Sequence, residues 1–248
     1  GAWGTNINLP LLPGTGDEGL HRLYDGLISH ILEDFKPELI INSAGQDNHF
    51  SDPLASMAVT AQGYARLADK LQADIAVLEG GYSVESALPY VNTGIILAMA
   101  GMDYSKVLEP DLSELRKQDP RCNKRVDQLI EQVGDLYFNR ERTKKELLQK
   151  CNGVWQRKKH IYYDEEGIRE QQVETVRYCS ICDGYFTIQT AAEDTRFGDQ
   201  SAFIVCLPRD ICPNCKQRAY DEALREKKTG RWQYVFIQHI VDGFIETI

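Results

Sequence analysis

The spacing of apolar positions changes along this chain, and each change predicts an element. Leu20, Leu23, Tyr24, Leu27 and Ile31 recur at helical spacing and predict a helix from about residue 20 to 35, stopped at Pro37. Residues 1–18, rich in Gly, Pro, Asn and Thr, read as an irregular loop. Leu39-Ile40-Ile41-Asn42 has the short unbroken apolar character of a buried parallel strand. Thr60 is placed to cap a helix over residues 61–71, with Tyr64, Leu67 and Leu71 inward. Ile75-Ala76-Val77-Leu78 predicts a second buried strand ending at Gly80-Gly81, followed by a helix from about 84 to 100. This alternation predicts an α/β fold with a mostly parallel sheet covered by helices, whose ligands sit past the carboxyl ends of its strands.

From Met102 to Pro120 the pattern turns polar and irregular, which predicts a boundary. A long amphipathic helix over about 121–151 follows, with Val126, Leu129, Ile130, Val133 and Leu136 on one stripe that reads as packing surface. Gly134 weakens the case for an unbroken helix. Trp155–Tyr163 and Ser201–Leu207 read as strands, and residues 232–244 as one or two strands or a closing helix. The expected division is 1–110 as an α/β domain, 111–165 as a helical connector and 166–248 as a cysteine-bearing module.

Charge narrows the function classes. Against 28 Lys and Arg stand 37 Asp and Glu, a formal net charge of -9, which argues against a nonspecific nucleic-acid backbone binder. The basic runs at 157–160 and 225–228 read as solvated faces. No run has transmembrane length and the N-terminus lacks the pattern of a signal peptide, so no membrane role and a cytoplasmic location are expected. In that compartment, cysteine pairs favour metal over disulfides.

Of seven cysteines, four form two C-x2-C pairs, Cys179/Cys182 and Cys212/Cys215. Each such pair can bring two thiolates to one metal, and two pairs make a tetrahedral sulfur site, with structural zinc as the default and iron as the alternative. Unligated thiols or a redox pair are the competing explanations. The spacing resembles a zinc ribbon in a generic way, and a scaffold or protein-docking role is the expected use.

The other chemistry lies after the two early strands. Asp47 and Asp52 share a loop; a carboxylate there can ligate a metal, cap a helix or brace the loop. His49 is a further possible ligand, with a core histidine as the alternative. Gly80-Gly81 permits close backbone approach and presents Tyr82, whose hydroxyl could donate to a developing oxyanion.

Together these segments resemble the histone deacetylase and acetylpolyamine amidohydrolase superfamily, nearest its class II-like members. The matching stretches are Asn6-Ile7-Asn8-Leu9-Pro10, Pro13-Gly14-Thr15-Gly16-Asp17, Lys36-Pro37-Glu38-Leu39, Ser43-Ala44-Gly45 with Asp47, Asp52-Pro53-Leu54, Ala61-Gln62-Gly63-Tyr64-Ala65 and Leu78-Glu79-Gly80-Gly81-Tyr82. The resemblance covers about residues 1–100 and implies the late part of an arginase/deacetylase-type domain. It implies that Asp52 is one ligand of a catalytic zinc, that Tyr82 polarises the amide carbonyl, that Gly80 and Gly81 shape the substrate tunnel, and that Asp47 supports the loop. The implied reaction is zinc-dependent hydrolysis of an N-acetyl amide, such as acetyl-lysine or acetylpolyamine. The family's tandem histidines and Asp-x-His ligands have no counterpart here, so residues 1–248 alone are expected to be inert. Activity would require an upstream deacetylase segment, as a second chain or a cleaved portion. The alternative is a noncatalytic interaction or scaffold protein with a degenerate deacetylase fold and a structural zinc.

Overall fold

A computed structural model describes residues 6–110, 112, 117–182, 184–194, 196 and 198–248. Residues 1–5 of the expected N-terminal loop, 111 and 113–116 at the expected first boundary, and Asp183 beside the first cysteine pair lie outside the described residues. The chain packs as two compact units, 2–140 and 141–248. The segment 111–165 expected as a connector is divided between them, because its first long helix packs into the first unit while its strand opens the sheet of the second.

The first unit begins with α1 (Asp17–Leu23), continues through one π-helical turn (Tyr24–Ile28) and ends the run in α2 (Ser29–Phe35). Lys36 closes it in the left-handed conformation, φ 50°, just before Pro37. Leu23 and Leu27 pack against Val126 and Leu129 of a later helix, α5 (Pro120–Phe138). α5 stops at Asn139, whose side chain bonds back to Asp135, and α6 (Arg140–Lys150) starts afresh. The single helix expected over 121–151 is therefore two.

Between these helices lie β1 (Ile41–Ala44), α3 (Ala61–Leu71), β2 (Ile75–Leu78) and α4 (Leu88–Met99). Thr60 caps α3 by accepting from the Gly63 amide at 3.0 Å. Asp17 fixes that cap, accepting from the Thr60 amide at 2.8 Å and from its hydroxyl at 2.6 Å. A Cβ on Gly63 would collide with the Asp17 carboxylate. β1 and β2 are parallel, with Ile41 opposite Ile75 and Ser43 opposite Val77. Their Ala44 and Ala76 side packs with Tyr64, Ala68, Val91 and Ile95. The opposite side is open: Ile41 is 57% exposed and Ile75 and Val77 are 45% exposed. The burial expected for both strands is met only at Ala44 and in part at Asn42 and Ala76; no residue of β2 is buried and Leu78 is 74% exposed, because helices cover only part of one face of a sheet just two strands wide.

The second unit is a six-stranded sheet in sequential order: β3 (Val154–Tyr163), β4 (Ile168–Arg177), β5 (Tyr185–Glu193), β6 (Gln200–Leu207), β7 (Tyr234–His239) and β8 (Phe244–Thr247). All neighbours are antiparallel except β6 and β7, which α7 (Pro213–Thr229) connects as a parallel crossover. α7 lays Ala219 and Ala223 on Phe203, Val205, Val235 and Ile237. Small residues on the helix let it sit close to branched and aromatic residues on the sheet.

Candidate functional site

In the first unit the structure brings the ends of β1 and β2 together. Gly45 lies beside the Glu79 carbonyl, and the Gln46 amide donates to Gly80 at 3.4 Å. Gly80 and Gly81 have φ of 60° and 107°, a region costly for other residues. A Cβ on Gly81 would stand 2.8 Å from that of Gln46, and one on Gly80 would stand 3.2 Å from the Asp47 carboxylate. Asp47 thus lies against the glycine turn.

Asp52 is the centre of this arrangement. Its Oδ1 accepts from the amides of Leu54 at 2.9 Å and Ala55 at 3.1 Å, and its Oδ2 accepts from the Tyr82 amide at 2.8 Å. Burial by itself would raise its carboxyl. The amides of Tyr82, Leu54, Ala55 and Ser83 outweigh burial and hold it below the usual carboxylate range. The side chain is therefore an anion, only 8% exposed, tied directly to the loop that presents Tyr82. Tyr82 itself is 53% exposed, its ring free of the core.

His49 serves this loop from inside. It is fully buried, its Nδ1 accepts from the Ser51 amide at 3.2 Å and meets the Ser51 hydroxyl at 2.9 Å, and that hydroxyl reaches Ser83 at 2.8 Å. Burial lowers its pKa to about 4, with Asp52 opposing, so the ring is neutral near pH 7. Its Nε2 is 3.9 Å from Glu109, another buried residue, whose carboxyl burial raises. His49 accordingly links the Asp52 and Tyr82 loops as a core histidine. Sequence pattern did not single out Ser51, Ser83 or Glu109, because nothing in their spacing marks a contact across 32 positions, from Ser51 to Ser83, or 60, from His49 to Glu109.

In the second unit the four cysteines converge, all four Sγ atoms lying within 4.8 Å of one another. The first pair sits on the turn from β4 to β5. The Ile181 amide points at the Cys179 sulfur at 3.5 Å, and the amides of Ile181 and Cys182 draw the Cys179 thiol down. Gly184, φ 88°, turns the chain back; a Cβ there would strike the Arg177 carbonyl. The second pair opens a helix: Cys212 is the N-cap of α7, Pro213 its first residue, and Cys215 is buried one turn in. This differs from a ribbon of two β-knuckles, the generic resemblance drawn from spacing. About 3.8 Å separates sulfurs around a tetrahedral zinc with 2.3 Å bonds, so the cluster fits such an ion.

Asp52 has no comparable set around it. Among the described residues, the four cysteines are the one group of three or more His, Cys, Asp or Glu side chains close enough to hold a metal. The described residues therefore do not by themselves fit a catalytic zinc.

Comparison with known proteins bears on the first unit. Residues 1–98 match the histone deacetylase domain family. A probable deacetylase of Archaeoglobus fulgidus is 52% identical over 129 residues, covering 47% of this chain and 36% of that protein. A histone deacetylase-like amidohydrolase of Pseudomonas aeruginosa is 30% identical over 146 residues, covering 53% of this chain and 38% of that protein. The acetoin utilization protein AcuC of Bacillus subtilis is 31% identical over 128 residues, with 48% and 33% covered. The chain thus spans about a third of the length of these relatives. The similarity supports a histone deacetylase superfamily relationship for the first unit, joined in this chain to a four-cysteine cluster. No helix among the described residues is long and apolar enough to cross a membrane.

Proposed function

We propose that residues 2–140 supply one wall of a zinc-dependent deacetylase site that hydrolyses N-acetyl amides such as acetyl-lysine or acetylpolyamine. In this proposal Asp52 contributes one metal-ligating carboxylate, Tyr82 donates its hydroxyl to the oxyanion, Gly80 and Gly81 shape the tunnel wall, and Asp47 braces the glycine turn. The observation that supports it is the 2.8 Å bond from the Tyr82 amide to Asp52, which joins a buried carboxylate to the backbone of an exposed tyrosine. An oxyanion is best stabilised by a donor already in place, and this tie fixes the backbone from which the Tyr82 phenol would reach it.

The remaining ligands, a His-His pair and an Asp-x-His pair, come in this proposal from an upstream deacetylase segment, either a second chain or a cleaved portion. The open apolar side of the β1–β2 pair supports such a partner, since parallel strands are stable when both faces are covered. The test is deacetylation of acetyl-lysine peptide and acetylpolyamine by the 248-residue chain with and without that segment. Activity is expected only from the completed protein, and Tyr82→Phe should lower its kcat by about 10²- to 10³-fold. A completed protein in which Y82F keeps full activity would refute the assignment.

A second proposal is favoured by the absence of a second metal-ligand group among the described residues: a noncatalytic scaffold that keeps the fold and uses the four-cysteine unit for protein docking. It predicts no turnover with any upstream segment. In either proposal the four cysteines hold a structural zinc.

A further inference from the structure

Each cysteine pair is followed or preceded by a residue of one largely buried ionic network, in which Arg177, Tyr185 and Glu222 meet. Arg177 stands two positions before Cys179, Tyr185 three after Cys182, and Glu222 seven after Cys215, two helical turns along the same face of α7. Glu222 is only 7% exposed. Its Oε2 accepts from Arg177 Nε at 2.6 Å and from the Tyr185 hydroxyl at 2.8 Å, and its Oε1 accepts from the second Arg177 nitrogen. The fork geometry fixes both the distance and the rotation of the guanidinium against the carboxylate. Burial would raise the Glu222 carboxyl, but Arg177 and Tyr185 hold it below its usual range.

This network ties the helix that carries Cys212 and Cys215 to both flanks of the turn that carries Cys179 and Cys182. It needs no metal. The unit also has an apolar core of its own, with Phe203, Val205, Leu207, Val235 and Ile237 under α7. A small zinc module without such a core folds only when the ion binds. Here the helix and the turn have two other reasons to stay together.

We propose that Glu222 is a positioning residue for the four-cysteine site: through Arg177 and Tyr185 it locks α7 to the β4–β5 turn, so that the thiols stand at metal-binding spacing before an ion arrives. The metal then fills a preformed site in a folded unit. This proposal depends on the four cysteines being a metal site, and the experiment separates the two.

The experiment titrates Co²⁺ into reduced, metal-free 248-residue protein, following thiolate charge-transfer absorption and d–d bands, with a chromophoric chelator as competitor. Near-UV circular dichroism reports the fold beforehand. Wild-type protein is expected to be folded without metal and to bind one Co²⁺ with a four-thiolate spectrum. Glu222→Ala should weaken affinity by roughly 10- to 100-fold, the usual effect of removing a support behind a ligand. Glu222→Gln, which keeps the shape and loses the charge, should fall between. Ile237→Val, a packing change in the same core, should leave affinity unchanged, which a general loss of stability would not predict for E222A alone. Folded E222A with wild-type affinity would overturn the proposal, as would metal-free wild type that is unfolded. If E222A fails to fold, Tyr185→Phe decides: several-fold weaker binding supports the lock, and unchanged binding refutes it. If wild-type protein binds no Co²⁺ at all, the assignment of the cysteines as a metal site fails first.

Discussion

The two units differ in how much of a site each contains. The first, residues 2–140, ties the Asp52 carboxylate to the backbone of the exposed Tyr82, beside a pair of parallel strands with an open apolar face. The second is an open six-stranded sheet with a core under α7, and it gathers all four cysteines at one end of that helix. Charge follows the same line. Residues 1–140 carry 11 Lys and Arg against 20 Asp and Glu, whereas residues 141–248 carry 17 of each, so the whole net charge of -9 belongs to the first stretch. In the proposed function the first region is completed by another segment, whereas the second carries its four cysteines and the core under α7 within itself.

The comparison can be broken most strongly at the cysteines. Cys212→Ser together with Cys215→Ser should abolish metal binding and remove the linked stabilisation of the second unit, roughly 4 kcal/mol when free metal is about 1,000 times Kd. The first unit should be unaffected. Two-region unfolding, followed by hydrogen exchange, checks this: protection should fall in β5, β6 and α7 and remain in α3.

A pH series sharpens the contrast from the other side. His49 is buried and neutral, with its pKa lowered from 6.5 to about 4. Between those values the unfolded chain binds a proton that the folded unit does not. Stability is therefore fully present above pH 6.5, declines as pH falls toward 4, and stops declining from this source below that. The expected loss for the first unit is roughly 3 kcal/mol at most. His49→Gln should flatten that slope in urea unfolding at pH 7, 5.5 and 4; an unchanged slope would show that another group is responsible.

The glycine turn offers a smaller effect. Gly81→Ala would place a Cβ 2.8 Å from that of Gln46 at φ 107°. It should cost about 1–3 kcal/mol and displace Tyr82, seen as a lower urea midpoint with an unchanged m-value. Smallest is Thr60→Ala, which removes the α3 cap and should cost about 1 kcal/mol, again confined to the first unit.

How legible all this was depends on whether the signal is local. The capped helix after Thr60 and the strand over Ile75–Leu78 fall where periodicity and capping chemistry put them. The cysteine pairs converge as C-x2-C spacing implies. β4 was missed because Arg169-Glu170-Gln171-Gln172 is polar on both faces and relies on pairing with β3 and β5 for its place. α7 was missed although Cys212-Pro213 is a good helix start, since its inward residues are alanines and its stripe is faint. The break at Asn139 depends on one side chain turning back to Asp135, which no periodicity reveals. In the first unit, resemblance marks Asp52 and Tyr82 as candidates, whereas the path from buried Glu109 and His49 through half-buried Ser51 to Ser83 exists only in three dimensions.

The most direct measurement is metal content per chain by inductively coupled plasma mass spectrometry, on protein purified under reduction and dialysed against zinc. The account predicts one zinc per 248-residue chain, lost in the Cys212→Ser, Cys215→Ser double variant and unchanged in Asp52→Asn. Two zinc ions per chain, or a zinc count lowered by D52N, would contradict it, because the first unit would then hold a complete metal site of its own.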